Sequence, residues 1–261
     1  MSETPVLGGV MPVNEKYVRD PGKAVACIEK WLASLVERAG AKGIVAGLSG
    51  GLDSAVVAAL AVRVFKDGAL GLIMPCRSDP ADAADALLIA ERLGMPHRTI
   101  ELTPAFDVLT SAMESAGPLS DMARANIKAR LRMVTLYGVA QSTSRLVCGT
   151  GNRSEWETGY FTKHGDDSSD LLPLRDLLKC EVRAIARFLG LPEHIIEKPP
   201  SAGLWTGQTD EGEMGFSYSE LDKYLATGSA APETALKIEV LRAKSEHKRL
   251  PVPYCKCKIE L

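Results

Sequence analysis

The sequence has no basic footprint. Its 31 Lys and Arg stand against 33 Asp and Glu, a formal net charge of −2, so a role on RNA or DNA would need a local patch. No stretch approaches the about 20 apolar residues that a membrane-spanning helix needs. The opening segment, MSETPVLGGVMPVNEKYVRD, lacks a basic region followed by an apolar core and does not read as a signal peptide. Six cysteines (Cys27, Cys76, Cys148, Cys180, Cys255 and Cys257) are scattered, with no disulfide framework and no C-x-x-C pair for a zinc ribbon or redox centre. Cys255 and Cys257 could take a metal, but two thiols near a chain end are more often incidental. These absences lead to the expectation of a soluble, cytoplasmic protein. What is present is ordinary for a globular chain: 261 residues, 46% hydrophobic and 25% charged, enough for one large domain or two small ones.

The order of patterns carries the fold. Residues 20–39 place Val25, Ile28, Leu32 and Leu35 at helical spacing and close at Gly40. GIVAGLS then reads as a buried parallel strand, and SAVVAALAVRVF as a helix. ALGLIMP and HRTIEL read as further strands, with ADAADALLIAERLG as the helix between them and Gly94 as its stop. A third helix starts at PAFDVLTSAMESAG, with Pro104 in its first turn. A longer helix follows over about 121–141, and RLVCGT is a fourth strand. Such alternation predicts an open, mainly parallel α/β sheet flanked by helices. After Gly149 the chain becomes polar, and residues 150–171 are too long and too polar for a plain connector. A helix over 176–189 follows, then a second irregular stretch, KPPSAGLWTGQTDEGEMG, and helices near 218–226 and 232–246. Both long segments come after the fourth strand, where α/β sheets carry their sites.

Between the first strand and its helix lies Gly47-Leu48-Ser49-Gly50-Gly51, which fits the G-x-S-x-G elbow of serine hydrolases. A nucleophilic Ser49 needs a histidine base late in the chain. Of His97, His164, His194 and His247 only His247 falls late enough, inside the charged run KSEHKRL. The elbow also leaves Asp53 and Ser54 unexplained. A phosphate cradle uses every residue: Gly50 and Gly51 let the backbone approach a ligand, and N–H groups at the helix start meet an anion. Ser49 and Ser54 add hydroxyl donors. Asp53 would repel phosphate unless Mg²⁺ intervenes. The loop is neither a Walker motif nor G-x-G-x-x-G. A simple strand-to-helix turn, with Asp53 favoured by the helix dipole, stands beside these readings.

Ser49-Gly50-Gly51-Leu52-Asp53-Ser54 resembles the S-G-G-x-D-S loop of the N-type ATP pyrophosphatases, which split ATP into AMP and pyrophosphate. Four later blocks, NIKARLRM (126–133), GTGNRSEWETGYFTKHGD (149–166), DLLPLRDLLKCEVRAIARFLG (170–190) and KPPSAGLWTGQTDEGEMGFSYSELD (198–222), are similar to NAD synthetases in order and spacing, from about Ile44 to Arg249. The resemblance implies an adenine nucleotide alpha hydrolase-like fold with a helical C-terminal part, and amidation of nicotinic acid adenine dinucleotide (deamido-NAD) to NAD by ATP and ammonia. It further implies residue roles. ATP would meet residues 49–54, Thr150, Lys179 and Ser201, the last standing where many members have threonine. Deamido-NAD would meet Arg130, Lys163, Asp170, His247 and Lys248. Mg²⁺ would sit on Asp53 and Glu155, and catalytic roles would fall to Asp53, Lys179 and Asp166, the last as holder of ammonium, with the adjacent Asp167 the alternative and Asp166 the better fit to the family's Gly-Asp pair. A homodimer is implied too. Only about 40 residues precede the first strand, fewer than the 50 or more a domain usually needs, so a single domain without a fused glutaminase is expected, fed by free ammonia or a separate glutaminase. Rival readings are another ATP pyrophosphatase, such as a tRNA thiolase, and a nucleotide-binding module without catalysis.

Overall fold

The computed structural model describes residues 17–201 and 209–255. Its elements run α1 (Pro21–Arg38), β1 (Ile44–Leu48), α2 (Leu52–Phe65), β2 (Ala69–Ile73), α3 (Pro80–Leu93), β3 (His97–Thr99), α4 (Thr103–Glu114), α5 (Asp121–Thr143) and β4 (Leu146–Cys148). Then follow α6 (Arg153–Thr158), α7 (Lys179–Phe188), α8 (Glu193–Ile196), α9 (Asp210–Met214), α10 (Tyr218–Thr227) and α11 (Pro232–Arg249). The four strands are parallel in the order β3-β2-β1-β4. The chain therefore builds outward from β1 to β3, then crosses to the other side of β1 to lay down β4. A crevice opens where that order reverses, beyond the carboxyl ends of β1 and β4.

Alternation along β1 divides its side chains between the two faces. Ile44, Ala46 and Leu48 join the core under α1, α2 and α7, whereas Val45 joins the core on the opposite face with Leu72, Phe106 and Ile127. Helix α2 sits against the sheet centre, and nine of its fourteen residues are buried, most of them Ala, Val or Leu. Its small side chains allow close approach to β1. A third apolar cluster, around Tyr218, Leu221 and Ile238, ties α10 to α11 at the C-terminal side.

The expected elements all exist, several with shorter limits. The third strand ends at Thr99 rather than running through HRTIEL. The helix expected over 176–189 starts at Lys179, because the Glu181 carboxylate accepts the Leu178 N–H at 2.9 Å and ends the preceding turn. Two stretches read as irregular contain short helices, α6 and α9. In α6, Asn152 and Glu155 form a reciprocal capping box, a local device that organises an otherwise polar segment.

Candidate active site

The turn from β1 into α2 shapes one wall of a cavity of about 1160 Å³. Gly50 has φ +75°, and a Cβ there would stand 2.3 Å from the Asp82 carbonyl oxygen, so only glycine fits. Gly51 precedes α2, and no side chain caps the helix start. The first-turn N–H groups remain available to an anion. Ser49 and Ser54 hydroxyls lie 3.0 Å apart, and Ser54 Oγ donates to the Gly51 carbonyl at 2.9 Å. Among the described residues no histidine borders the cavity. Ser49 therefore has no base, which removes the elbow reading.

Below this turn lies an ionic corner. Lys179 begins α7, is 3% exposed, and donates its Nζ to Asp53 Oδ2 at 2.5 Å and Glu155 Oε1 at 3.1 Å. Burial opposes its charge, but the two carboxylates outweigh that and raise its pKa above the ordinary lysine value. Glu155 is shifted up as well, first by burial and then by the Asp53 charge, with Lys179 opposing. Lysine therefore stays protonated while Glu155 holds its charge reluctantly. The corner is supported from several elements. Asn152 Nδ2 donates to Asp53 Oδ1 at 2.8 Å. Asp222 on α10 accepts from Ser154 Oγ at 2.5 Å and from Cys180 N at 2.8 Å, fixing the start of α7 to α6. The Tyr218 ring lies 5.1 Å from Lys179 Nζ.

Sequence motifs did not single out Asn152, Asp222 or Tyr218. Nor did they single out Lys198, whose Nζ donates to Asp82 at 2.9 Å, Asp85 at 2.6 Å and the Gly50 carbonyl at 3.3 Å. In a trans peptide the C=O and the next N–H point in opposite directions. Holding the Gly50 carbonyl thus turns the Gly51 N–H the other way, where it donates to Ser49 Oγ at 3.3 Å.

Of the expected ATP residues, Ser49, Gly51, Leu52, Asp53, Ser54, Thr150, Lys179 and Ser201 border the cavity, as do Glu155, Asp166 and Lys248. Asp166 is exposed and its Oδ1 accepts the Thr162 N–H at 2.8 Å. The expected dinucleotide residues are arranged differently. Arg130 donates to the Lys163 carbonyl at 3.2 Å, and Lys163 Nζ donates to the His247 carbonyl at 2.6 Å. Lys248 Nζ donates to the carbonyls of Gly159 and Phe161, both at 2.7 Å. Asp170 accepts the Val147 N–H at 2.8 Å and so anchors β4. Arg130, Lys163, Asp170 and His247 do not border the cavity. Arg132 does, two residues along the same helix, with its guanidinium on Met74 O and Ser78 Oγ. Cys257 lies outside the described residues, so the Cys255–Cys257 pair has no structural account.

Residues 24–252 match the NAD synthase family. An NH(3)-dependent NAD(+) synthetase of Syntrophomonas wolfei is 48% identical, the alignment covering 90% of this chain and 96% of the relative. The protein of the same name from Carboxydothermus hydrogenoformans is 50% identical, over 84% of this chain and 91% of its own. A solved NMN synthetase from Francisella tularensis superposes with a TM-score of 0.87 at 39% identity, covering 92% of this chain and 100% of that one. The parallel sheet, the glycine turn over Asp53 and Lys179, and these likenesses agree, and the chain belongs to the NAD synthase family.

Proposed function

We propose that the chain amidates deamido-NAD to NAD with ATP and ammonia, through an adenylated carboxylate, releasing AMP and pyrophosphate. The observation that carries this is Lys179 held between Asp53 and Glu155 directly under the uncapped start of α2. A carboxylate oxygen is a poor leaving group, so amide formation needs prior activation. The substrate carboxylate attacks the α-phosphorus of ATP, and pyrophosphate leaves into the turn formed by residues 49–54. Backbone N–H groups of the turn and the Lys179 ammonium face the charge that develops there. No protein nucleophile takes part, so positioning and fixed electrostatics do the work. Ammonia then attacks the acyl carbon and AMP departs.

Asp53 and Glu155 suit Mg²⁺ by donor type: both carboxylates border the cavity, and both reach the same Lys179 Nζ. These two would hold the ion, with ATP oxygens completing its shell. When bound, it would neutralise charge on the leaving pyrophosphate. Thr150 and Ser201 would donate to the nucleotide, and Asp166 and Lys248, also at the cavity, would face the nicotinate side. Arg130, Lys163, Asp170 and His247 would meet the dinucleotide at the rim. The relatives named as NH(3)-dependent match over nearly their full length, which supports a single-domain enzyme taking free ammonia or ammonia from a separate glutaminase. We further propose a homodimer and a cytoplasmic site of action. Among the described residues no helix is long and apolar enough to cross a membrane.

The likeness to an NMN synthetase favours a second substrate reading, nicotinic acid mononucleotide. Incubation with ATP, Mg²⁺ and ammonium, with each nicotinate nucleotide in turn, tests both. NAD formation from deamido-NAD at the higher kcat/KM supports the main reading. Preference for the mononucleotide replaces it with the second, and no amide from either overturns both.

A further inference from the structure

Lys198 has no role in the reaction scheme above, yet it holds a peptide of the turn that receives the pyrophosphate. It lies between α8 and α9, followed by Pro199 and Pro200. That segment is tied down by the Asp210 N–H, which donates to the Pro200 carbonyl at 3.0 Å. An ammonium has three N–H donors, and Lys198 directs them to Asp82, Asp85 and the Gly50 carbonyl. Burial opposes its charge, but Asp85 and Asp82 outweigh that and raise its pKa. The peptide it holds, Gly50–Gly51, has no Cβ on either side. Its carbonyl is drawn toward α3, and its N–H is left on the Ser49 side, where Gly51 borders the cavity. A flip of this peptide would carry Gly51 from φ −100° to a positive φ beside ψ 167°, a region open to glycine. The flip would present a carbonyl oxygen where an N–H now stands, and that oxygen repels phosphate.

We infer that Lys198 is a positioning residue: by holding the Gly50 carbonyl toward α3, it keeps the Gly51 N–H available as a donor to the leaving pyrophosphate. The inference rests on the amidation reading above for the identity of that leaving group. Lys198 acts through the backbone rather than on phosphate, since its three donors already have acceptors. Asp82 and Asp85 belong to the same device, because they aim the ammonium at the carbonyl. By charge alone, two carboxylates beside an anion site disfavour phosphate. Removing one of them therefore gives opposite signs under the two accounts: weaker anion binding if it aims Lys198, tighter binding if its charge is all that counts.

The test measures inorganic pyrophosphate and AMP as inhibitors against ATP, in wild type, Lys198→Met, Gly51→Ala, the double variant and Asp85→Ala. Thermal melting confirms that each is folded. Removing one preorganised donor from a developing anion costs about a hundredfold in rate, so K198M should release pyrophosphate about a hundredfold more slowly. Its Ki for pyrophosphate should rise about tenfold or more, the loss of one hydrogen bond to a charged group, with the Ki for AMP unchanged. Gly51→Ala is compatible with the native φ and bars the flip, its Cβ meeting Ser49 Oγ at 3.3 Å. K198M made in the G51A background should therefore lose most of its effect on pyrophosphate, a coupling that a direct phosphate contact would not show. D85A should weaken pyrophosphate although it removes a negative charge. Equal losses for K198M in both backgrounds overturn the inference, as does tighter pyrophosphate binding in D85A or a K198M enzyme with wild-type kinetics. If wild type forms no amide, the amidation reading falls, and the pyrophosphate Ki values still support or overturn the inference.

Discussion

Lys179 inside the cavity and the pair Lys163 and Lys248 further out have surroundings that could hardly differ more. Lys179 is 3% exposed and faces two carboxylates. Lys163 reaches across the surface to a backbone carbonyl on α11, and Lys248 bridges two carbonyls of the loop after α6. The inner group is a set of charges in low dielectric, where each is worth most and is costliest to leave alone. The outer group, half-buried, clasps α11 to the loop. Depth separates the two: under the proposed reaction the inner corner would handle charge on ATP, whereas the outer clasp shapes the rim.

Removing Lys179 should break the comparison most sharply. Lys179→Met leaves two half-buried carboxylates without their shared cation, so unfolding in urea should show a loss of about 1–3 kcal/mol. Pyrophosphate release by the remaining folded protein should fall about a thousandfold. An active K179M enzyme would put the charge handling elsewhere. Gly50→Ala is expected next. Its Cβ meets Asp82 at φ +75°, a strain of about 1–3 kcal/mol that should appear as a KM for ATP raised about tenfold or more, with the fold intact by circular dichroism.

Glu181 supplies a pH test outside the cavity. Burial works against its charge, but Arg19, donating at 2.7 and 2.8 Å, and the Leu178 N–H outweigh that and hold its pKa below the ordinary glutamate value. A depressed carboxyl pKa adds stability above the unfolded value and loses it as pH falls through the folded one. The stability gap between wild type and Glu181→Gln should therefore be about 1.5–3 kcal/mol at pH 7 and should close below about pH 4. A gap that widens in acid would reverse the assignment. The smallest effect belongs to the rim. Lys163→Met should change stability by about 0–1 kcal/mol and raise the KM for the dinucleotide several-fold while leaving the KM for ATP alone. A lost ATP affinity there would erase the distinction between the two groups.

Much of this was legible before folding. Apolar runs separated by amphipathic segments specified strand and helix order, since periodicity is a local property. The glycine turn, Asp53, Glu155 and Lys179 stood in recognisable blocks. Boundaries were less legible: α7 starts at Lys179 because of Glu181, a cap effect that apolar periodicity does not register. The rim residues were recognisable too, yet the fold turns Arg130 away from the cavity and Arg132 toward it, a difference of helical phase that a motif does not carry. Asn152 on Asp53 and Lys198 on Gly50 were silent in the sequence.

The order of elements and the residue types placed in the glycine turn are therefore determined by sequence alone, because these follow from hydrophobic period and from short spacings. Tertiary structure alone decided which charges share a half-buried corner. Asp53 and Lys179 are 126 positions apart, and Ser154 and Asp222 are 68 apart. They meet because the strand order reverses at β1 and sets the ends of β1 and β4 side by side. Burial there strengthens each charge pair, because the low dielectric screens it less.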